Sequence, residues 1–221
     1  MNDYISGSIS GLVVCLIGHP LDTLKTVSQS RNKGIVTPHK WYRVYNGIKY
    51  PLVGSSIVHS CMFGTNKYLH KKTQNHYFSG FLTGVLISSI ITPIELYKVR
   101  AQNMLQFKVN PYRGALPTVM RESISGSIYF GAYNQMRRND INILVSGGLS
   151  GWLSWLSIYP IDVCKTRIQS DKARTIVDAL KMGGLWKGFG YCSLRCVLGS
   201  AAGFYAYEKT IKFLTNTHTH L

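Results

Sequence analysis

His19-Pro-Leu-Asp-Thr-Leu-Lys25 returns as Thr92-Pro-Ile-Glu-Leu-Tyr-Lys98 and a third time as Tyr159-Pro-Ile-Asp-Val-Cys-Lys165. Each copy reads Pro-x-acid-x-x-Lys, and a glutamine stands four residues after each lysine, at Gln29, Gln102 and Gln169. Glycines precede each proline at matching offsets: Gly7 and Gly11, Gly80 and Gly84, Gly147 and Gly151. Several features at fixed offsets in three copies mark an internal repeat. Pro20, Pro93 and Pro160 lie 73 and 67 residues apart. The expected organisation is therefore one domain over 1–221, with repeats near 1–72, 73–139 and 140–214 and a polar tail at 215–221.

Each unit carries a second landmark: Tyr45-Asn-Gly47, Tyr112-Arg-Gly114 and Trp186-Lys-Gly188. Each opens a further apolar segment, near 47–70, 114–137 and 188–212. Long stretches of the chain are also free of charge. No charged residue occurs in 4–21, 50–66, 73–94 or 141–161. A helix needs about 20 residues to cross the hydrocarbon layer, and these stretches reach or approach that length. The reading is an all-α membrane protein of six transmembrane helices in three tandem two-helix repeats.

Composition agrees with that reading and removes others. The chain has 221 residues, with 25 Lys and Arg against 9 Asp and Glu and a net charge of +16. Mean hydropathy is only +0.02, because Gly, Ser and Thr fill the uncharged stretches. Small residues let membrane helices approach closely. Apolar residues make up 45% of the chain, which excludes disorder. The basic residues flank apolar spans and form no single face, so nucleic-acid binding is not expected. Five cysteines are too few and odd in number for a disulfide scaffold, and Cys192 and Cys196 lack a second pair for zinc. No nucleophile triad, P-loop or dinucleotide fingerprint appears. The chain reads as no enzyme, with no cofactor and no metal. Most basic residues fall in the links within the pairs and at the motif lysines, which places those links on the inner side and both termini on the outer side.

The repeat has its own physical logic. A proline inside a membrane helix removes a hydrogen bond and bends the helix, and Pro20, Pro93 and Pro160 are the expected kinks. The acid and base that follow are costly in a membrane unless they face an interior cavity and pair. Three acids and three bases at one level can close a ring between helices, or each can pair with its own lysine at i,i+3.

The threefold Pro-x-acid-x-x-base repeat with its aromatic-basic-glycine landmark resembles the mitochondrial carrier family over essentially the whole chain. The resemblance implies a six-helix barrel with pseudo-threefold symmetry around a central cavity, acting as a monomer in the mitochondrial inner membrane. It implies cyclic pairing of Asp22 with Lys98, Glu95 with Lys165, and Asp162 with Lys25, braced by Gln29, Gln102 and Gln169. Such a ring suits a gate in alternating-access exchange. The family's outer closure, an aromatic-acid-x-x-base pattern, is degraded here: Lys67, Asn134 and Glu208 occupy the acid position, and Lys212 falls one residue late. Only 21 residues separate Pro93 from Gly114, so the short helix of repeat two is expected to be truncated. No leader is visible, so the address is expected to be internal.

Substrate choice is expected seven residues past each landmark glycine, at Gly54, Arg121 with Glu122 beside it, and Arg195. The arginines can fork onto a carboxylate or phosphate, and Glu122 suits an ammonium. Together they read as recognition of a small zwitterion; alternatively Arg121 and Glu122 neutralise each other. An arginine followed by an acid there is similar to the carnitine, ornithine and basic amino acid branch. Trp152, Trp155 and Tyr159 offer faces to a cation. A nucleotide or deoxynucleotide such as dATP is the second reading, and a proton-leak or non-transporting member the third. Gly47, Arg113, Gly114, Lys187 and Gly188 are candidate cardiolipin contacts, because helix N-termini and basic groups bind phosphate.

Overall fold

The computed structural model describes residues 2–30 and 38–218, and these are helical with no strand among them. Six long helices carry the architecture: α1 (Asn2–Gln29), α2 (Lys49–Thr73), α3 (His76–Gln102), α4 (Ala115–Arg138), α5 (Ile143–Gln169) and α7 (Phe189–His218). A short α6 (Ile176–Lys181) and a 3₁₀ turn at Pro38–Tyr45 occupy two of the links. No helix is assigned between Gln102 and Ala115, so the link of repeat two is the bare one.

The long helices pack in a closed cycle, α1–α2–α3–α4–α5–α7 and back to α1, with α1 and α2 the most sparsely packed neighbours. The first long helix of each repeat, α1, α3 and α5, also touches the other two. Pro20, Pro93 and Pro160 lie within these three, and each helix continues past its proline. By length and apolarity one described helix, α3, is sufficient to cross a membrane, with a mean hydropathy of 1.5. The others fall short by that measure because small polar residues and inward-facing ionic groups lower their average.

Local chemistry sets the boundaries. Asn75 caps α3 by accepting from the backbone N–H groups of Tyr77 and Phe78 at 2.9 and 3.1 Å. Gln74 turns left-handed at φ 54° before it, giving a two-residue hairpin. Thr175 and Asp178 form a capping box on α6, which satisfies two orphan N–H groups at once. The three landmark glycines all have positive φ, 81° at Gly47, 80° at Gly114 and 83° at Gly188. That conformation favours glycine and explains why the landmark ends in one.

Among the described glycines of these pairs, only those of repeat two pack closely. A Cβ on Gly84 would strike the backbone of Glu122 and Ser123, and one on Gly80 would strike Gly126. At Gly11 and Gly147 an added Cβ meets nothing within 4 Å. Gly84→Ala is therefore expected to cost about 1–3 kcal/mol through overpacking, while Gly147→Ala is expected to be neutral. Thermal melting of the purified variants checks this; equal losses at both sites would contradict the packing.

Candidate functional site

Three ion pairs link α1, α3 and α5 in a cycle. Lys98 of α3 meets Asp22 of α1 at 2.8 Å, Lys25 of α1 meets Asp162 of α5 at 2.8 Å, and Lys165 of α5 meets Glu95 of α3. Local i,i+3 pairing within one helix does not occur among these described residues. Asp162 and Lys165 are each only 3% exposed. Charges this deep are tolerated only when paired and hydrogen-bonded.

A second set of cations reaches the same acids from α4 and α7. Arg121 of α4 is 6% exposed. Its Nη2 donates to both Glu95 oxygens at 2.9 and 2.8 Å, and its Nη1 donates to Asp162 at 3.1 Å. It also pairs with Glu122. Arg195 of α7 places Nε 3.0 Å from Asp22. Every ring acid thus holds its ring lysine and an arginine. This corrects the reading of Arg121 as a fork open to a ligand: in this conformation three carboxylates occupy it. Sequence spacing placed Arg121 and Arg195 on the correct helices but carried no signal for their reach, because an arginine side chain spans more than one helical turn.

The glutamines do not behave alike. Gln29 donates to Asp162 at 3.0 Å. Gln102 donates instead to Thr23 at 3.0 Å, and the Gln169 amide has no partner among the described residues and lies under Gly114. Two of the three expected braces therefore do not touch a bridge here. The aromatic set also divides. Trp155 lies beneath Lys25, Arg121 and Arg195, at 4.0, 5.9 and 5.7 Å from its ring centre. Tyr159 is fully buried and donates to the Lys187 carbonyl at 2.9 Å. Trp152 is 36% exposed and does not line the cavity. The protein's own cations already crowd the Trp155 ring.

Around the ring lies a cavity of about 720 Å³ lined by Gly54, Trp155 and all of the ionic groups just named. A smaller chamber of about 280 Å³ continues it past Glu122, Ser125 and Ser154 to Tyr129 and Phe130. Gly54 is buried against Ile94, so α2 brings no charge to the lining at that level.

Below the ring, each landmark glycine nestles on the next motif helix. An added Cβ at Gly47 would approach the Lys98 carbonyl, at Gly114 the Gln169 side chain, and at Gly188 the Lys25 carbonyl. Arg113 does not point outward toward lipid. It donates to the Ile168 carbonyl at 3.0 Å and pairs with Asp171 at 2.9 Å. Arg100 joins the same Asp171 at 2.8 Å. Arg167 of α5 is fully buried and reaches the Gln29 carbonyl at the end of α1. The equivalent residue in repeat one is Val27, so the α1–α3 junction has no such arginine; there Ser30 donates to Asn103. At the opposite end, Asn134 donates to Phe130 at 2.7 Å and Lys67 is exposed. The side chains of Tyr207, Glu208 and Lys212 lie outside the described residues.

A closed cycle of helices around a polar cavity, with an ion-pair ring in its lining, is the build of a solute carrier. The family model described as mitochondrial carrier protein matches residues 139–218. Mitochondrial substrate carrier family protein L of Dictyostelium discoideum is 30% identical, over 96% of this chain and 95% of that one. The mitochondrial arginine transporter BAC2 of Arabidopsis thaliana is 27% identical, over 97% and 92%. The mitochondrial basic amino acids transporter of Homo sapiens is 29% identical, over 78% and 73%. The chain belongs to the mitochondrial carrier family.

Proposed function

We propose that this carrier exchanges a small zwitterion, an amino acid or a carnitine-like solute, across the mitochondrial inner membrane by alternating access. The observation that carries this reading is the charge balance of the cavity. Lys25, Lys98, Lys165, Arg121 and Arg195 line it against Asp22, Glu95, Glu122 and Asp162, five cations to four carboxylates. A zwitterion enters such a lining without disturbing the balance. A nucleotide brings several phosphate charges to a surplus of one. Relatives named as arginine, basic amino acid and glycine transporters support the same substrate class.

In this reading the Asp22, Glu95 and Asp162 ring is the inner gate, and the six long helices are three repeats spanning the bilayer as a monomer. Both termini face the intermembrane space. Gly47, Gly114, Lys187 and Gly188 offer turn N–H groups and charge to cardiolipin headgroups, with Arg113 committed to Asp171 instead.

Purified protein in liposomes, tested for exchange of lysine, arginine, glycine, carnitine and dATP, decides the substrate. Glu122→Gln removes the counter-charge for an ammonium at nearly constant size. Losing a charge-assisted contact costs about 1.5–3 kcal/mol, so amino acid or carnitine uptake should weaken roughly tenfold to a hundredfold. Intact dATP exchange in the variant, with no amino acid or carnitine uptake by either protein, would overturn the substrate assignment.

A further inference from the structure

Two cysteines take no part in the cavity lining. Cys192 and Cys196 stand four residues apart on α7, so they share one helix face with Cβ atoms about 5–6 Å apart. Their thiols are hydrogen-bonded to each other. Cys192 is 1% exposed and packs on Tyr159 and Val163 of α5, and Cys196 is half-buried. Cys15 lines the cavity, whereas neither of this pair does. The α5–α7 junction where Cys192 packs is, after α1–α2, the most sparsely packed in the cycle, which leaves room beside the thiols.

The surroundings are cationic. Arg195 directly precedes Cys196, and Lys25 holds its Nζ 5.4 Å from the centre of the Tyr159 ring on which Cys192 packs. Lys25 and Arg195 lie within electrostatic reach of both sulfurs, against Asp22 for Cys196 alone. Two sulfurs one helical turn apart can flank a single two-coordinate ion, and soft thiolate ligands select Cu(I) among the first-row metals. Zinc in a structural site asks for four ligands, and no group of three or more His, Cys, Asp or Glu is placed to hold a metal among the described residues. On binding, two S–H bonds break, two metal–sulfur bonds form and two protons leave to solvent. The metal keeps its oxidation state. The resulting complex carries one negative charge, which is costly in a membrane unless countered; Lys25 and Arg195 counter it.

We propose that Cys192 and Cys196 form a two-thiolate site for a soft monovalent metal ion, Cu(I) or its analogue Ag(I), at the junction of α5 and α7. The site is separate from the substrate cavity and does not rest on the zwitterion reading.

The test uses the purified, reduced full chain under argon, with Cu(I) presented as its bicinchoninate complex. The wild type should withdraw one ion per chain with an affinity that Cys192→Ala and Cys196→Ala each weaken about tenfold or more. Changing Cys15, Cys61 and Cys164 to serine together should leave that ion in place. Binding should tighten as pH rises, because two protons leave, and Zn(II) in excess should not displace the ion. X-ray absorption at the copper edge should show two sulfur neighbours and no nitrogen. Unchanged uptake by either alanine variant, in protein that melts as the wild type does, would overturn the site, and so would one ion shared by two chains. Where Cys192→Ala melts early, the copper-edge spectrum of the wild type decides: nitrogen or a single sulfur around the ion would equally overturn it.

Discussion

Asp162→Asn should abolish transport and remove about 3–5 kcal/mol of stability, the cost of breaking one partner out of a buried ion pair. Asp162 is 3% exposed and accepts from Lys25 at 2.8 Å, Arg121 at 3.1 Å and Gln29 at 3.0 Å. An asparagine of the same shape accepts at one oxygen and carries no charge. Lys25 and Arg121 would remain buried with their counter-charge reduced. Glu95 would retain Lys165, so the α3–α5 contact would survive while the α1–α5 contact fails. Thermal melting and exchange by the purified variant measure both effects. Reversal at the more exposed pair offers the contrast: Asp22→Lys together with Lys98→Asp should recover part of the activity that either single change destroys. A double-mutant cycle without coupling at Asp22–Lys98, Glu95–Lys165 and Lys25–Asp162 alike would rule out the ring as a functional unit.

Arg167→Met should lower stability by on the order of 3 kcal/mol or more, with a smaller effect on the exchange rate of the protein that remains folded. The guanidinium is completely buried and donates to the carbonyls of Ala179 and Gly183 at 2.7 Å each, and of Gly184 and Gln29 at 3.3 Å. It joins the end of α5 to the end of α1 and to the turn after α6. Hydrogen bonds from a charged donor are worth about 1.5–3 kcal/mol each, and stranded buried acceptors add a penalty. Methionine fills the space but donates nothing. Val27→Arg is the converse change at the junction that lacks this residue, and it should raise the melting temperature if the Arg167 geometry can be reproduced there. A melting temperature for Arg167→Met equal to that of the wild type would show that the carbonyls find other donors.

The repeat, the helix order and the level of the ring were legible in the sequence because they depend on residue type and spacing along one helix. Proline, acid, base and landmark glycine recur at offsets that helical periodicity converts directly into height. The landmark glycines Gly47, Gly114 and Gly188 were legible as recurring positions, but their left-handed turn and their close approach to the next motif helix came from the structure. What each long polar side chain reaches was not legible. Gln29, Gln102 and Gln169 are identical in type and offset, yet they meet Asp162, Thr23 and no described partner respectively. Arg113 turned onto Asp171 instead of outward, and Tyr159 became a buried packing residue where a cavity face was expected.

The sequence by itself determined that acids and bases stand at one level on three helices, and that two arginines stand above them on the second long helices of repeats two and three. Only the tertiary structure decided that Arg121 sits between Glu95 and Asp162 while Arg195, among the described residues, meets Asp22 as its one carboxylate. The reason is physical. Spacing sets a residue's height and face on its own helix, but the partners of a long charged side chain depend on how close the neighbouring helices come. Those approaches are set by packing, such as the glycine contact of α3 on α4 that the α1–α2 side lacks, and equal motifs do not pack equally.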